Sequence, residues 1–197
     1  VIDMVEIGMR VPEFKARAYI PNKDAIEEVR IPEPGKWLII TFHPGDFTFV
    51  CATDIEAFGA LQSKFEENGA LVYAVSTDSI YAHRVWHQTS PRVSKTNIPL
   101  VDDSNKEISK AFGFINSKTG AARRGTIIID PEGNLQYYAV FNDALGKDAN
   151  HIFNAFMGLK MIHDTPVEQG KLLAIPANWS VGKEPLKVDT VKDIGKL

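Results

Sequence analysis

A strand–helix–strand pattern in the first half of the chain constrains the fold more than any other feature. The segments "KWLIITFHP" (36–44) and "ALVYAVSTD" (70–78) are rich in Leu, Ile and Val and are flanked by turn residues, which is typical of buried strands. Between them, "DIEAFGALQSKFEENG" (54–69) places apolar residues on one helical stripe, and Gly69 favours a helix end there. This order of elements predicts two parallel strands joined by a right-handed crossover.

Further elements are predicted along the rest of the chain. They are a helix over 79–88, a short strand over 98–103, a second helix over 105–114, a hairpin over 124–141 with "DPEG" as its turn, and a last helix over 146–162. After about residue 165 no period lasts, which indicates an arm packed on the body or on a partner subunit. We therefore expect an α/β fold with a mixed central sheet and helices on both faces, in a domain over 1–165 followed by a C-terminal arm over 166–197.

The composition excludes several classes of protein. A net charge of −3 gives no electrostatic reason to expect nucleic acid binding, and no apolar run is long enough to span a membrane. The N-terminal segment lacks the basic and apolar regions of a secretory signal, and one cysteine allows neither an intrachain disulfide nor a four-cysteine zinc site. A reducing, cytoplasmic setting is the expectation.

The only cysteine, Cys51, lies at the junction between the predicted strand and the predicted helix, in "TFHPGDFTFVCATD" (41–54). The first turn of a helix offers unpaired N–H groups and the positive end of the dipole, which favour the reactive thiolate. Thr48 could cap the helix, or a capping box from Thr53 to Glu56 could begin it; both put the sulfur within a turn of the helix start. The alternative is that Cys51 is a small buried apolar residue.

The segment "PGDFTFVC" resembles the P-x-x-x-T-x-x-C signature of the peroxiredoxins, with Pro44, Thr48 and Cys51 at the required spacing. "FTFVC" followed by "ATD" is similar to the alkyl hydroperoxide reductase C, or typical two-cysteine, branch. The segments "VYAVSTDSIYAHRVWH", "IPLVDDSNKEISKAFG", "RGTIIID" and "IPANW" follow in family order, so that the resemblance covers nearly the whole chain. It implies a thioredoxin fold of the peroxiredoxin type, with no cofactor and no metal.

The resemblance also implies a role for each motif residue. Cys51 would attack the O–O bond of a hydroperoxide and become a sulfenic acid, while Thr48 hydrogen-bonds sulfur and peroxide and Pro44 shields the thiolate from water. Arg124 in "RRG" would stabilise the thiolate and polarise the peroxide. Without the family, Arg124 would be read as a solvated charge at a strand end. Arg123 is the weaker candidate, because neighbours on a strand point to opposite faces.

The chain departs from the branch at the position of the resolving cysteine, which is Ile175 in "AIPANW". The sulfenic acid would then have to be reduced by an external thiol, unless Ile175 is an engineered replacement of that cysteine. The resemblance further implies homodimers that assemble into a ring, a decamer. The alternative function is a ring-forming holdase or structural assembly with the same fold.

Smaller departures concern residues with supporting roles. Asp54 stands where Glu is common, and this shorter carboxylate is predicted to reach the active-site Arg poorly; Ala52 replaces the usual Pro. Lys147 replaces a second Arg and cannot form a bidentate fork. His43, which one-cysteine relatives often have in place of Tyr, would hydrogen-bond either the sulfur or a backbone group. Trp86 is expected to pack in the active-site surroundings.

Other signals are weaker. His83 and His87 in "HRVWH" have the spacing of metal ligands, but the Glu of hydrolytic zinc sites and a third ligand are missing, so that no metal site is predicted. A disulfide oxidoreductase of thioredoxin type would need C-x-x-C, whereas "ATD" follows Cys51. A Cys–His hydrolase would need a local signature with oxyanion-loop glycines, which "FTFVC" lacks.

Overall fold

The computed structural model describes residues 4–196 and contains the predicted strand–helix–strand unit. Strands β1 to β9 cover Phe14–Ile20, Ala25–Ile31, Trp37–Phe42, Ala70–Ser76, Leu100–Asp102, Gly125–Ile129, Leu135–Val140, Lys171–Ala174 and Leu186–Asp189. Helices α1 to α4 cover Phe49–Glu67, Ile80–Thr89, Glu107–Ala111 and Ala149–Asp164. Of the helices in the described part of the chain, none has the length and apolar character needed to cross a membrane.

Seven strands form one mixed sheet in the order β2-β1-β5-β4-β3-β6-β7. Strands β3, β4 and β5 are parallel to one another, as the strand–helix–strand pattern predicts for β3 and β4, and the other pairs are antiparallel. All six residues of β3 are buried, which explains why "WLIITF" shows no alternation of apolar and polar residues. Helix α1 packs on β4, and α2 packs on β5 and β1. The predicted mixed α/β fold is confirmed.

The core on one face of the sheet fixes the end of β3, where the cysteine-bearing loop begins. Leu38, Ile40 and Phe42 alternate along β3 and belong to the same apolar cluster as Phe112 and Phe114. The rings of Phe42 and Phe114 meet edge to face, with centroids 4.6 Å apart. The last residue of β3 is therefore anchored immediately before the loop.

One hairpin was predicted and another was not. Strands β6 and β7 pair antiparallel, and the N–H of Gly133 donates to the Asp130 carbonyl at 2.9 Å to close the predicted turn. The second hairpin, which is not among the elements expected from the sequence, consists of β1 and β2, paired antiparallel from Phe14↔Ile31 to Ile20↔Ala25. This hairpin extends the sheet beyond β5 to its β2 edge.

The chain divides into two compact units, the first running to Ala149 and the second beginning at Asn150. The second unit contains most of α4 and a two-stranded antiparallel sheet of β8 and β9. This sheet lies within the segment that was predicted as a C-terminal arm. Ile175 follows β8 and packs closely against α4, since a Cβ on Gly158 would come within 3.3 Å of two Ile175 carbon atoms. Trp179 is buried and donates from Nε1 to the Lys183 carbonyl at 2.8 Å.

Candidate active site

Cys51 is the third residue of α1, because the helix begins at Phe49 with Thr48 in the N-cap position. The alternative start at the Thr53 to Glu56 capping box is therefore wrong. Thr48 does not cap the helix with its side chain; its hydroxyl donates to the Gly45 carbonyl at 2.7 Å. The sulfur thus lies in the first helical turn, among backbone N–H groups that have no partner within the helix.

Four buried side chains form what we call the sulfur cluster: Cys51, Asp54, Arg124 and Lys147. Arg124 lies at its centre and donates from Nη2 to the Cys51 sulfur at 3.4 Å and from Nη1 to Asp54 Oδ2 at 2.6 Å. Its Nε and Nη2 also donate to the Asp143 carbonyl, at 3.1 and 2.9 Å. With 2% of its surface exposed, Arg124 is not the solvated strand-end charge of the alternative interpretation.

Asp54 reaches the guanidinium, so the expectation that its shorter side chain would reach it poorly is wrong. Arg124, the residue before β6, reaches Asp54 Oδ2, and the backbone N–H of Lys147 donates to the other oxygen, Oδ1, at 2.8 Å. Asp54 therefore fixes the orientation of the guanidinium that faces the sulfur.

Lys147 supplies a second buried cation. Its Nζ donates to Thr41 Oγ1 at 2.6 Å and to the Phe42 carbonyl at 2.7 Å, and it lies 3.6 Å from Asp54 Oδ2. Burial lowers the pKa of Lys147 to about 8, although the attraction of Asp54 opposes this shift. Unlike the second arginine common in the family, this cation can lose its proton close to physiological pH.

A cavity of about 400 Å³ gives access to the sulfur. Its walls are formed by Pro44, Thr48, Phe49, Val50, Cys51, Arg124, Asp143 and Ala144. The structure thus brings together the four residues predicted as catalytic, whereas Asp54 and Lys147 are not among those that line the cavity. A small molecule that enters would meet the sulfur and the guanidinium within mainly apolar walls.

A second buried group, which we call the loop cluster, consists of His43, Asp46 and His83. Asp46 accepts from both imidazoles, with Oδ1 2.8 Å from His43 Nε2 and Oδ2 2.5 Å from His83 Nδ1. His83 Nε2 lies 2.9 Å from the Val101 carbonyl, so both of its nitrogens face acceptors and both carry protons. The His43 side chain hydrogen-bonds Asp46 instead of the sulfur or a backbone group, the two alternatives that the sequence left open. Among residues 4–196, its Nδ1 has no hydrogen-bond partner.

The charges of the loop cluster stabilise one another. Burial alone would raise the pKa of Asp46, but the hydrogen bonds from His43 and His83 outweigh it and hold this pKa at about 2. Burial opposes protonation of His83, yet the bond to Asp46 raises its pKa above the ordinary value. Trp86 packs beside this cluster, with its ring centroid 5.3 Å from that of His43.

Two sets of histidine and aspartate side chains have the composition of metal ligands. The two histidines of "HRVWH" do not share a site, because His83 belongs to the loop cluster and His87 bonds a backbone carbonyl. His43, Asp46 and Asp78 each offer a ligand atom within 4.8 Å of the others. Hydrogen bonds already engage oxygens of both carboxylates, which favours a hydrogen-bonded network over a metal site.

Comparisons with known proteins place this geometry in context. The family model described as AhpC/TSA matches residues 7–138. Alkyl hydroperoxide reductase C of Amphibacillus xylanus is 36% identical over 191 residues, 97% of this chain and 98% of that protein, and the Bacillus subtilis protein of the same name is 34% identical over 191 residues with the same coverage of each. The crystal structure of the reduced Plasmodium vivax 2-Cys peroxiredoxin is similar with a TM-score of 0.82 and 28% identity, covering 91% of each chain.

Proposed function

The chain belongs to the AhpC/TSA family of peroxiredoxins, and from that premise we propose that it is a thiol-dependent peroxidase. Its substrates are hydrogen peroxide and alkyl hydroperoxides, and its intermediate is a sulfenic acid on Cys51. The observation that carries the proposal is the 3.4 Å contact of Arg124 Nη2 with a sulfur that borders a cavity.

The reaction uses the groups that line the cavity. The Cys51 thiolate attacks one peroxide oxygen, the O–O bond breaks, and sulfur loses two electrons while the other oxygen leaves as hydroxide or alkoxide and takes up a proton. Arg124 stabilises the thiolate and then the charge on the leaving oxygen. The Thr48 hydroxyl donates to the Gly45 carbonyl, which leaves its lone pairs able to accept a hydrogen bond from the peroxide. Pro44 shields the sulfur from water.

Three further residues support this chemistry without touching substrate. Asp54 positions Arg124 through the 2.6 Å ion pair. His43 and Trp86 pack against each other next to Pro44 and hold the start of the cysteine-bearing loop. These are positioning residues in our proposal.

Recycling requires a thiol from outside the chain. Ile175 occupies the position of the resolving cysteine, and the sequence contains no cysteine besides Cys51. An external thiol condenses with the sulfenic acid to give a mixed disulfide and water, and a second thiol releases the enzyme. A cytoplasmic setting, as the sequence predicts, would supply such thiols.

Homodimers assembled into a ring, a decamer, are the proposed assembly. The exposed aromatic side chains of the first unit favour contacts between copies, because Phe49, Phe47 and Tyr81 are 92%, 58% and 67% exposed. Large apolar side chains that are exposed to solvent commonly mark an interaction surface.

Peroxide titration of the single thiol tests the function. Reduced protein is mixed with one equivalent of hydrogen peroxide, and Cys51 is followed by mass spectrometry with a sulfenic-acid trap, with Cys51→Ser as the control for trapping elsewhere. Trapping within seconds at micromolar peroxide is expected, since an ordinary thiol reacts far more slowly. Oxidation no faster than that of a free thiol would refute the proposed peroxidase.

A further inference from the structure

The sulfur cluster is electrically balanced only while the sulfur is an anion. With Cys51 as a thiolate, it holds two negative groups and two positive ones, and each of the four residues is at most 7% exposed. Oxidation to a neutral sulfenic acid removes one negative charge from this buried site. An uncompensated buried charge is costly, so the site needs a way to lose a positive charge.

Arg124 cannot provide this compensation, because a guanidinium keeps its proton in proteins. Lys147 can, and its surroundings suit both of its protonation states. The Thr41 hydroxyl accepts from the ammonium at 2.6 Å and can turn its own proton to donate to a neutral amine. The Phe42 carbonyl accepts from either form.

On the basis of the proposed function, we propose that Lys147 is a titratable counter-charge that gives up its proton when Cys51 passes from thiolate to sulfenic acid. The step balances. Thiolate and hydroperoxide give sulfenic acid and an oxyanion, which takes up one proton, and Lys147 releases one proton as ammonium becomes amine. Lys147 contacts Thr41, Phe42 and Asp54 rather than the cavity wall, so its proton does not pass directly to the peroxide.

The electrostatics agree with this assignment. The principal groups acting on Lys147 are Asp54 and Cys51, which favour its charged form, and Arg124, which disfavours it. Burial already brings the pKa of Lys147 to about 8, so the loss of one of the two favourable charges lowers it further.

The coupling is tested without peroxide by comparing reduced protein with the Cys51→Ser variant, whose hydroxyl is neutral. The measurement is an NMR titration of full-length protein that carries 13Cε-labelled lysine. The Lys147 signal is assigned by its loss in Lys147→Arg or by through-bond correlation. Its titration midpoint should be lower in Cys51→Ser by at least about half a pH unit. Equal midpoints overturn the proposal, even if the sulfenic-acid trap shows an active peroxidase.

Proton counting during oxidation is the second measurement. With one equivalent of hydrogen peroxide in weakly buffered solution near the Lys147 midpoint of the reduced protein, Lys147→Arg should take up more protons per trapped sulfenic acid than the wild type. The difference should reach up to about half a proton, because about half of the Lys147 side chains carry a proton at that pH. Equal uptake by both overturns the proposal. A lowered midpoint without any trapped sulfenic acid would instead keep the coupling and refute the peroxidase.

Discussion

The sulfur cluster and the loop cluster are both buried groups of charged side chains, yet only one of them reaches the cavity. Cys51 and Arg124 line its wall, whereas none of the residues that line it belongs to the loop cluster. The imidazoles and the carboxylate of the loop cluster bond mainly to one another. Burial and charge are therefore found both in the cluster that we propose is reactive and in the cluster that supports it. Only contact with the cavity distinguishes the sulfur cluster from the loop cluster.

The backbone next to the loop cluster shows what this support does. Phe47 has a φ of 59°, a left-handed conformation that costs a residue other than glycine about 1–3 kcal/mol unless its surroundings impose it. Asp46, its neighbour, is fixed on both carboxylate oxygens and at its N–H, which donates to Asp78 at 2.9 Å. The loop cluster therefore holds the segment that presents Pro44 and Thr48 to the cavity.

The largest expected effect is the loss of stability when Asp46→Asn breaks the loop cluster. It leaves a buried imidazolium at His83 without its counter-charge, and breaking a buried ion pair costs about 3–5 kcal/mol. Urea unfolding near neutral pH measures the loss. The matched control is Asp24→Asn, which removes an exposed carboxylate paired with Arg84 and should cost far less. Equal losses in the two variants would contradict the supporting role of the loop cluster.

The next largest effect is on the rate of Cys51 oxidation, which tests the role of the sulfur cluster. Arg124→Met removes the donor to the sulfur and should slow Cys51 oxidation by more than about tenfold, which corresponds to about 1.4 kcal/mol. Rapid mixing with peroxide and trapping of the sulfenic acid gives the rate. Arg123→Met is the control and should stay within about twofold of the wild type. A similarly small change for Arg124→Met would refute its role.

The sequence predicted those parts of the fold whose hydrophobic pattern is regular. The apolar runs of β3 and β4 and the "DPEG" hairpin were recognised because local composition determines them. In β1, apolar residues alternate with charged ones, which is typical of a half-buried strand, so this strand could have been recognised from the sequence. In the edge strand β2, Glu27 and Glu28 interrupt the alternation and weaken the signal. Strands β8 and β9 are four residues long, too short to establish a period.

Site residues that belong to a sequence motif could be predicted, whereas contacts between residues far apart in the sequence could not. Cys51, Thr48 and Pro44 were singled out because their spacing matches the P-x-x-x-T-x-x-C signature and further family segments follow in order. Asp46 was missed because an acid after "PG" looks like an ordinary turn residue, and its partner His83 is 37 positions away. Asp54 was misjudged because reach depends on the separation of α1 and β6, which a sequence does not give.

The smallest effect is a pH dependence that distinguishes the two clusters. The pKa of His83 is raised in the folded protein, so its stabilising contribution is complete below the unfolded value of about 6.5 and is lost as pH rises through the folded value. The destabilisation caused by His83→Gln should therefore be larger at about pH 6 than at about pH 9, as measured by urea unfolding. The lowered pKa of Lys147 has the opposite effect, because it makes the folded protein more stable as pH rises above about 8. Lys147 is present in both the wild type and His83→Gln, so its contribution cancels when the two are compared. A difference that stays constant, or grows with pH, would show that the imidazolium does not hold the loop.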